Sequence, residues 1–185
     1  MTITELVILD LIPPYTLESS LLAKALATFT AQRSQYSAYP VALYKDTTSS
    51  SRFYFITGWH NAAALSLCRE HILSEHRTIE DFLTVRGRMY LDMNYDTIPR
   101  IGQGILCITK HTVQADEEAS EGEETISTGG QRCRVAWMGG GISREENTAF
   151  YQFIVYADGS SEEAIRKRNE TKSVLMMRRI SIPRH

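Results

Sequence analysis

Cysteine is scarce in this chain, three in 185 residues, and the three, Cys68, Cys107 and Cys133, form no CxxC pair. An odd, unpaired set argues against a disulfide framework and a zinc ribbon, so buried free thiols are expected. Long apolar runs are lacking too. None approaches the roughly 20 residues that a membrane-spanning helix needs, and the first residues include Glu5 and Asp10 where a secretory leader carries bases. No membrane partner and a cytoplasmic location are the resulting expectations. Familiar catalytic signatures are missing as well: there is no GxSxG, no P-loop, no GxGxxG and no HExxH. Gly139 to Gly141 lacks the strand-to-helix setting in which glycines cradle phosphate. Phosphate, nucleotide and flavin chemistry are therefore unsupported, and neither a cofactor nor a metal is expected.

Charge is present but unevenly spread. The net charge is −2; residues 116 to 124 hold six acids and no base, while residues 166 to 184 hold seven bases against the single acid Glu170. The bases sit late in an acidic chain and in no recognisable nucleic-acid module, so both blocks read as solvated surface and no nucleic-acid partner is expected. The hydrophobic fraction of 43% is that of a globular chain with a real core.

What the chain does have is one pattern twice. Phe53 to Asn61 is an aromatic and β-branched run that ends in Trp59 and meets Asn61, an Asx residue suited to a helix N-cap; Phe150 to Asp158 repeats this 97 positions later, with Tyr156 and Asp158. Around the first copy, Glu5 to Ile12 reads as a strand closed by Pro13 and Pro14. Leu17, Leu21, Ala25, Leu26 and Phe29 mark the apolar face of a helix capped at Thr16, and Val41 to Tyr44 forms a hairpin with the Trp59 strand. A helix after Asn61 turns Leu65, Cys68 and Ile72 inward, a short helix covers Thr78 to Arg86 with Gly87 as its stop, and Met89 to Tyr95 alternates as a half-buried strand. The order β, α, β, β, α, β is that of a ferredoxin-like unit. A second unit starts at Ile105, placing Ile105 to Ile108 on Leu6 to Leu9 at an offset of 99. It continues through the acidic stretch 114 to 130, which lacks an apolar face and is expected to be a mobile loop. A hairpin follows over Arg132 to Tyr156 around Gly139 to Gly141, then a helix over Ser160 to Lys172 and a strand over Val174 to Ile182. The expected fold class is α+β, two tandem ferredoxin-like repeats packed as an intrachain dimeric α/β barrel: residues 1 to 100 and a degenerate second repeat, 101 to 185.

The run Phe53 to Asn61 with Gly58 and Trp59, His71 and His76 downstream, and Tyr90 Leu91 Asp92 leading through Pro99 to Ile105 resemble the dimeric α/β-barrel superfamily, specifically its antibiotic-biosynthesis-monooxygenase-like group and the tandem fungal members. The resemblance covers almost the whole chain. It implies two ferredoxin-like sheets packed face to face and a cleft between sheet and helices for a hydrophobic, often aromatic or polyketide-like molecule. The second copy departs from the pattern: Tyr156 replaces the tryptophan, and Arg166, Lys167 and Arg168 stand where the first copy has histidines. The first cleft is therefore the expected working one.

The candidate chemistry is small. His71 could serve as general acid or base near neutral pH, against the plainer reading of a partly exposed helix histidine. His71 and His76, five apart, face different sides of one helix and make a poor metal pair. Asp92 is a candidate cleft acid whose pKa would rise on burial, or a solvent-facing strand carboxylate. Trp59 is a core anchor or a ligand contact. Alternation puts Phe53, Phe55, Thr57 and Trp59 on one face and Tyr54, Ile56, Gly58 and His60 on the other, leaving open which face lines a pocket. With Tyr54, Phe55, Trp59, His76 and Tyr90 as substrate contacts, the expected function is a cofactor-independent tailoring enzyme of secondary metabolism, a cyclase or isomerase, including pericyclic ring closure. The alternatives are a cofactor-free monooxygenase of the same superfamily, a non-catalytic small-molecule binding protein, or a haem degrader with an axial histidine such as His71. A homodimer of such pseudo-dimeric chains is compatible with this reading.

Overall fold

The computed structural model describes residues 2–72, 77–99, 104–112, 133–158, 160–169 and 173–180, with the side chains of 71, 72, 77 and 78 outside the description. The acidic stretch 114–130, expected to be a mobile loop, lies outside the described residues. β1 (Ile3–Leu11) leads to α1 (Ser20–Ser37), which stops at Ala38, held at a left-handed φ of 59° with its N–H on the Ser34 carbonyl. β2 (Ala42–Asp46) and β3 (Arg52–Trp59) form a hairpin; α2 (Ala62–Ile72), the single-turn α3 (Arg77–Glu80) and β4 (Leu83–Asp92) complete the first half. The second half runs β5 (Ile105–Thr112), β6 (Val135–Ser143), β7 (Ala149–Tyr156), α4 (Glu162–Arg168) and β8 (Val174–Ile180).

The eight strands close into one barrel in the order β1-β3-β2-β8-β5-β7-β6-β4, with every neighbouring pair antiparallel. The first four strands thus lie in the order 4-1-3-2 and the last four in the corresponding order 8-5-7-6. Two separate sheets facing each other were expected; instead the edges join, β2 to β8 through four residue pairs and β4 to β6 through two. An unpaired edge exposes a row of N–H and C=O groups, and closure removes both edges. Side chains fill the barrel, among them Leu6, Tyr54, Ile56, Leu91, Leu106, Phe153 and Met177, as expected of a barrel of this size. On the outer face of the first half, Ile3, Val7, Leu9, Phe53, Phe55 and Trp59 meet α1 and α2. No helix among the described residues is long and apolar enough to cross a membrane.

Four local expectations are corrected. The helix expected over Thr78–Arg86 is one turn ending at Glu80. Beyond it the backbone pairs with β1, Leu83 opposite Leu11 and Val85 opposite Leu9, because a ladder of inter-strand bonds outweighs the local helix signals; Gly87 lies in the strand beside a register shift. Gly139–Gly141 is not a turn but the middle of β6, where β7 pairs with it residue by residue. The second helix is capped by Ser161, whose hydroxyl accepts from the Ala164 N–H, rather than by Asp158. In α1, Leu26 and Phe29 are buried, and Leu17 just before it packs on the core, as expected, but Leu22 is buried in place of Leu21, which is 65% exposed. The offset of 99 also shifts: Ile3 pairs with Trp59 as Ile105 pairs with Tyr156, matching the first strands of the two halves at 102. A slip of three residues exchanges the faces of a strand.

Candidate functional site

The register of β1 places a carboxylate under the helices. Counting along an apolar strand, Glu5 shares its face with Ile3, Val7 and Leu9, and its cross-strand partners are Thr57 on β3 and Tyr90 on β4. Glu5 is 1% exposed. Its Oε2 accepts from the Trp59 indole N–H at 2.9 Å and from a terminal nitrogen of Arg33; its Oε1 accepts from the Tyr90 hydroxyl at 3.2 Å and lies 3.4 Å from Arg88 Nε. Arg33 arrives from α1, about one helical turn beyond Phe29, and its guanidinium lies over the Phe29 and Trp59 rings at 5.6 and 5.1 Å. Arg69, from α2, donates to the Tyr90 hydroxyl and stacks on that ring at 4.7 Å. A charge this deeply buried persists only when paired and hydrogen-bonded, and here four side chains, Trp59, Arg33, Tyr90 and Arg88, supply the partners.

Against this cluster opens a cavity of about 380 Å³. Val7, Leu9 and Phe55 form its sheet wall, Phe29, Leu65 and Cys68 its helical wall, and Ile79, Leu83 and Val85 its far side; Glu5, Arg33, Arg69, Arg88 and Glu80 supply the polar groups. It is an apolar slot with convergent charged groups, the usual composition of a small-molecule site. Burial raises the Tyr90 hydroxyl pKa, the neighbouring Glu5 adds to that, and the bond from Arg69 pulls the other way. Burial likewise pushes the Cys68 thiol up. Near neutral pH, Tyr90 is a hydrogen-bond donor and Cys68 a protonated thiol rather than a nucleophile.

Among the residues singled out from sequence, Phe55 lines the cavity, and Trp59 and Tyr90 reach it through Glu5. Tyr54 is on the opposite face of β3, inside the barrel, where its hydroxyl donates to Asp46. Asp92, at the end of β4, is partly exposed, 3.5 Å from Arg144 Nε, and does not line the cavity. His71 lies on α2 with its side chain outside the described residues, and His76 falls outside them altogether. No described residue lining the cavity is a histidine, and no group of three potential metal ligands occurs among the described residues.

Sequence reasoning missed Glu5, Arg33, Arg69 and Arg88. A signal was present for two of them: Glu5 interrupts an otherwise apolar strand face, and Arg33 follows Leu22, Leu26 and Phe29 at helical spacing. Among the described residues the second half shows no counterpart to this cluster: Cys107 occupies the position that matches Glu5, and burial pushes its thiol up to about 12.

No family model matches the sequence, and no curated protein matches it. Solved structures do. One provisionally named a chlorite dismutase superposes with a TM-score of 0.56 at 8% identity, covering 98% of this chain and 95% of its own. A provisionally named monooxygenase from Fusobacterium nucleatum gives 0.50 at 9% identity, covering 98% and 93%. Another, from Lactobacillus acidophilus, gives 0.49 at 11%, covering 97% and 93%. At such identities the similarity shows a shared fold, the dimeric α/β-barrel type, across the whole chain.

Proposed function

We propose that the chain binds an apolar small molecule in the cavity beneath α1 and α2 and oxygenates it, with the bound molecule itself supplying the electrons for reduction of dioxygen. The observation that carries the binding half is the apolar slot ending on the buried Glu5–Arg33 pair. The oxygenation half rests on the fold shared with the provisionally named monooxygenase of Fusobacterium nucleatum. Ring closure and isomerisation find no comparable support. In the chemistry that suits such a slot, an activated CH₂ beside an aromatic or carbonyl system loses a proton, the carbanion reacts with O₂, and C=O and one water result. His71 on α2 is the proposed proton acceptor.

Within the same reading, residues 1–100 and 101–185 are two copies of one ferredoxin-like unit; the matching strand orders 4-1-3-2 and 8-5-7-6 support this. The first copy keeps the binding site, and the second serves to close the barrel. Native purification followed by mass spectrometry of retained ligand identifies the molecule. An oxygen electrode then decides the reaction: uptake that matches product formation one to one is expected, and binding without uptake would leave a sequestering protein. His71→Ala, assayed at equal folded fraction, is expected to slow turnover by roughly 100- to 10,000-fold. An unchanged rate removes His71 from the mechanism. A shifted Soret band on adding haem would favour haem chemistry instead.

A further inference from the structure

We infer that the polar end of the bound molecule is an anionic oxygen, a carboxylate or an ionised enol or phenol, and that Arg69 and Arg33 recognise it; this rests on the cavity being the binding site. Three guanidinium groups line the cavity against two carboxylates. Glu5 is committed to Arg33 and Arg88. Glu80 is exposed on α3 and solvated. Arg69 makes no ion pair among the described residues: one terminal nitrogen donates to a phenol, Tyr90, whose ring also stacks on the guanidinium, and the rest of its five-donor fork has no partner among them.

A second observation is independent of that charge count. Arg33 is 5% exposed, lines the cavity, and its Nε–H is buried with no acceptor among the described residues. A buried donor left without an acceptor is costly, more so on a charged group, and such groups in native proteins call for an explanation. A neutral apolar occupant would dehydrate Arg69 without replacing its water, whereas an anionic oxygen meets the free donors of Arg69 with charge-assisted bonds, which are the strong kind, and sets a counter-charge beside Arg33.

The test uses a size-matched pair on the intact protein, 2-naphthoate and its neutral carboxamide, by titration calorimetry at neutral pH. The acid is expected to bind on the order of tenfold or more tightly. Arg69→Gln should cut that preference severalfold, the acid losing more affinity than the carboxamide; the side chain is exposed, so the variant is expected to fold. 2-Naphthol distinguishes the source of charge, since capture of its anion shows as the red-shifted naphtholate absorption. Equal affinity for acid and amide, both displaced by Leu65→Trp, overturns the anion inference and keeps the cavity as the site. Binding of neither probe, or binding that Leu65→Trp does not affect, overturns the cavity reading itself.

Discussion

Glu5 and Arg33 are buried to 1% and 6% side-chain exposure, so each depends on the other. Glu5→Ala leaves a guanidinium uncompensated under α1, and a loss of about 3–5 kcal/mol is expected in urea unfolding. The double substitution Glu5→Leu with Arg33→Leu should recover most of that loss. A double variant as unstable as Glu5→Ala would contradict the assignment. Asp46 sets a different balance. Its burial raises the carboxyl pKa, but the Thr48 hydroxyl at 2.6 Å, the Tyr54 hydroxyl, and the Thr48 and Ser49 N–H groups at 2.6 and 2.9 Å outweigh it, so the net shift is downward. A depressed folded pKa contributes stability that is whole above the unfolded value of about 3.9 and is lost as pH falls through the folded one. The stability gap between the parent protein and Asp46→Asn should therefore be constant from pH 7 to about 5 and shrink below about 4. A gap that widens on acidification would reverse the sign.

At the scale of elements, α2 carries the helical wall of the cavity through Leu65, Cys68 and Arg69, and its start is fixed by Asn61, whose side-chain oxygen accepts from the Ala64 N–H at 2.9 Å. Asn61→Ala should cost about 0.5–2 kcal/mol. It should also loosen ligand binding, because fraying the first turn moves Leu65, while Asn61→Ser is expected to retain both properties. Calorimetry of the two variants checks this. The helix after Asn61 was legible in the sequence because a cap followed by apolar positions at helical spacing is a local signal. The strand that begins at Leu83 was not: its reason for being a strand is β1, more than seventy residues earlier in the chain.

At the scale of the molecule, the barrel has one broad and one narrow seam. The β4–β6 seam consists of Leu91 opposite Ser143 and Asp92 opposite Ile142. A Cβ at the adjacent Gly141 would stand 2.8 Å from the Asp92 carbonyl oxygen and 2.8 Å from Met93 Cβ. Backbone cannot yield there as a flexible side chain does. Gly141→Ala is expected to cost about 1–3 kcal/mol and to remove hydrogen-exchange protection at the seam before it does so at β2–β8. Uniform loss of protection would mean that the barrel opens only as a whole.

The sequence by itself determined the pieces: most strand and helix positions, the repeated strand-to-helix pattern and the α+β class. These follow from periodicity and capping, which act over a few residues. The tertiary structure alone decided which face of each strand meets the helices, since that depends on register, and a slip by an odd number of residues turns every side chain over. It turned Tyr54 inward to Asp46 and Phe55 outward to the cavity. It also brought Glu5 to Arg33, Trp59 and Tyr90, which lie 28, 54 and 85 positions away along the chain. No local pattern encodes such a meeting, because groups this far apart in sequence can offset one another's desolvation only once β1, β3 and β4 have paired and α1 has packed on them.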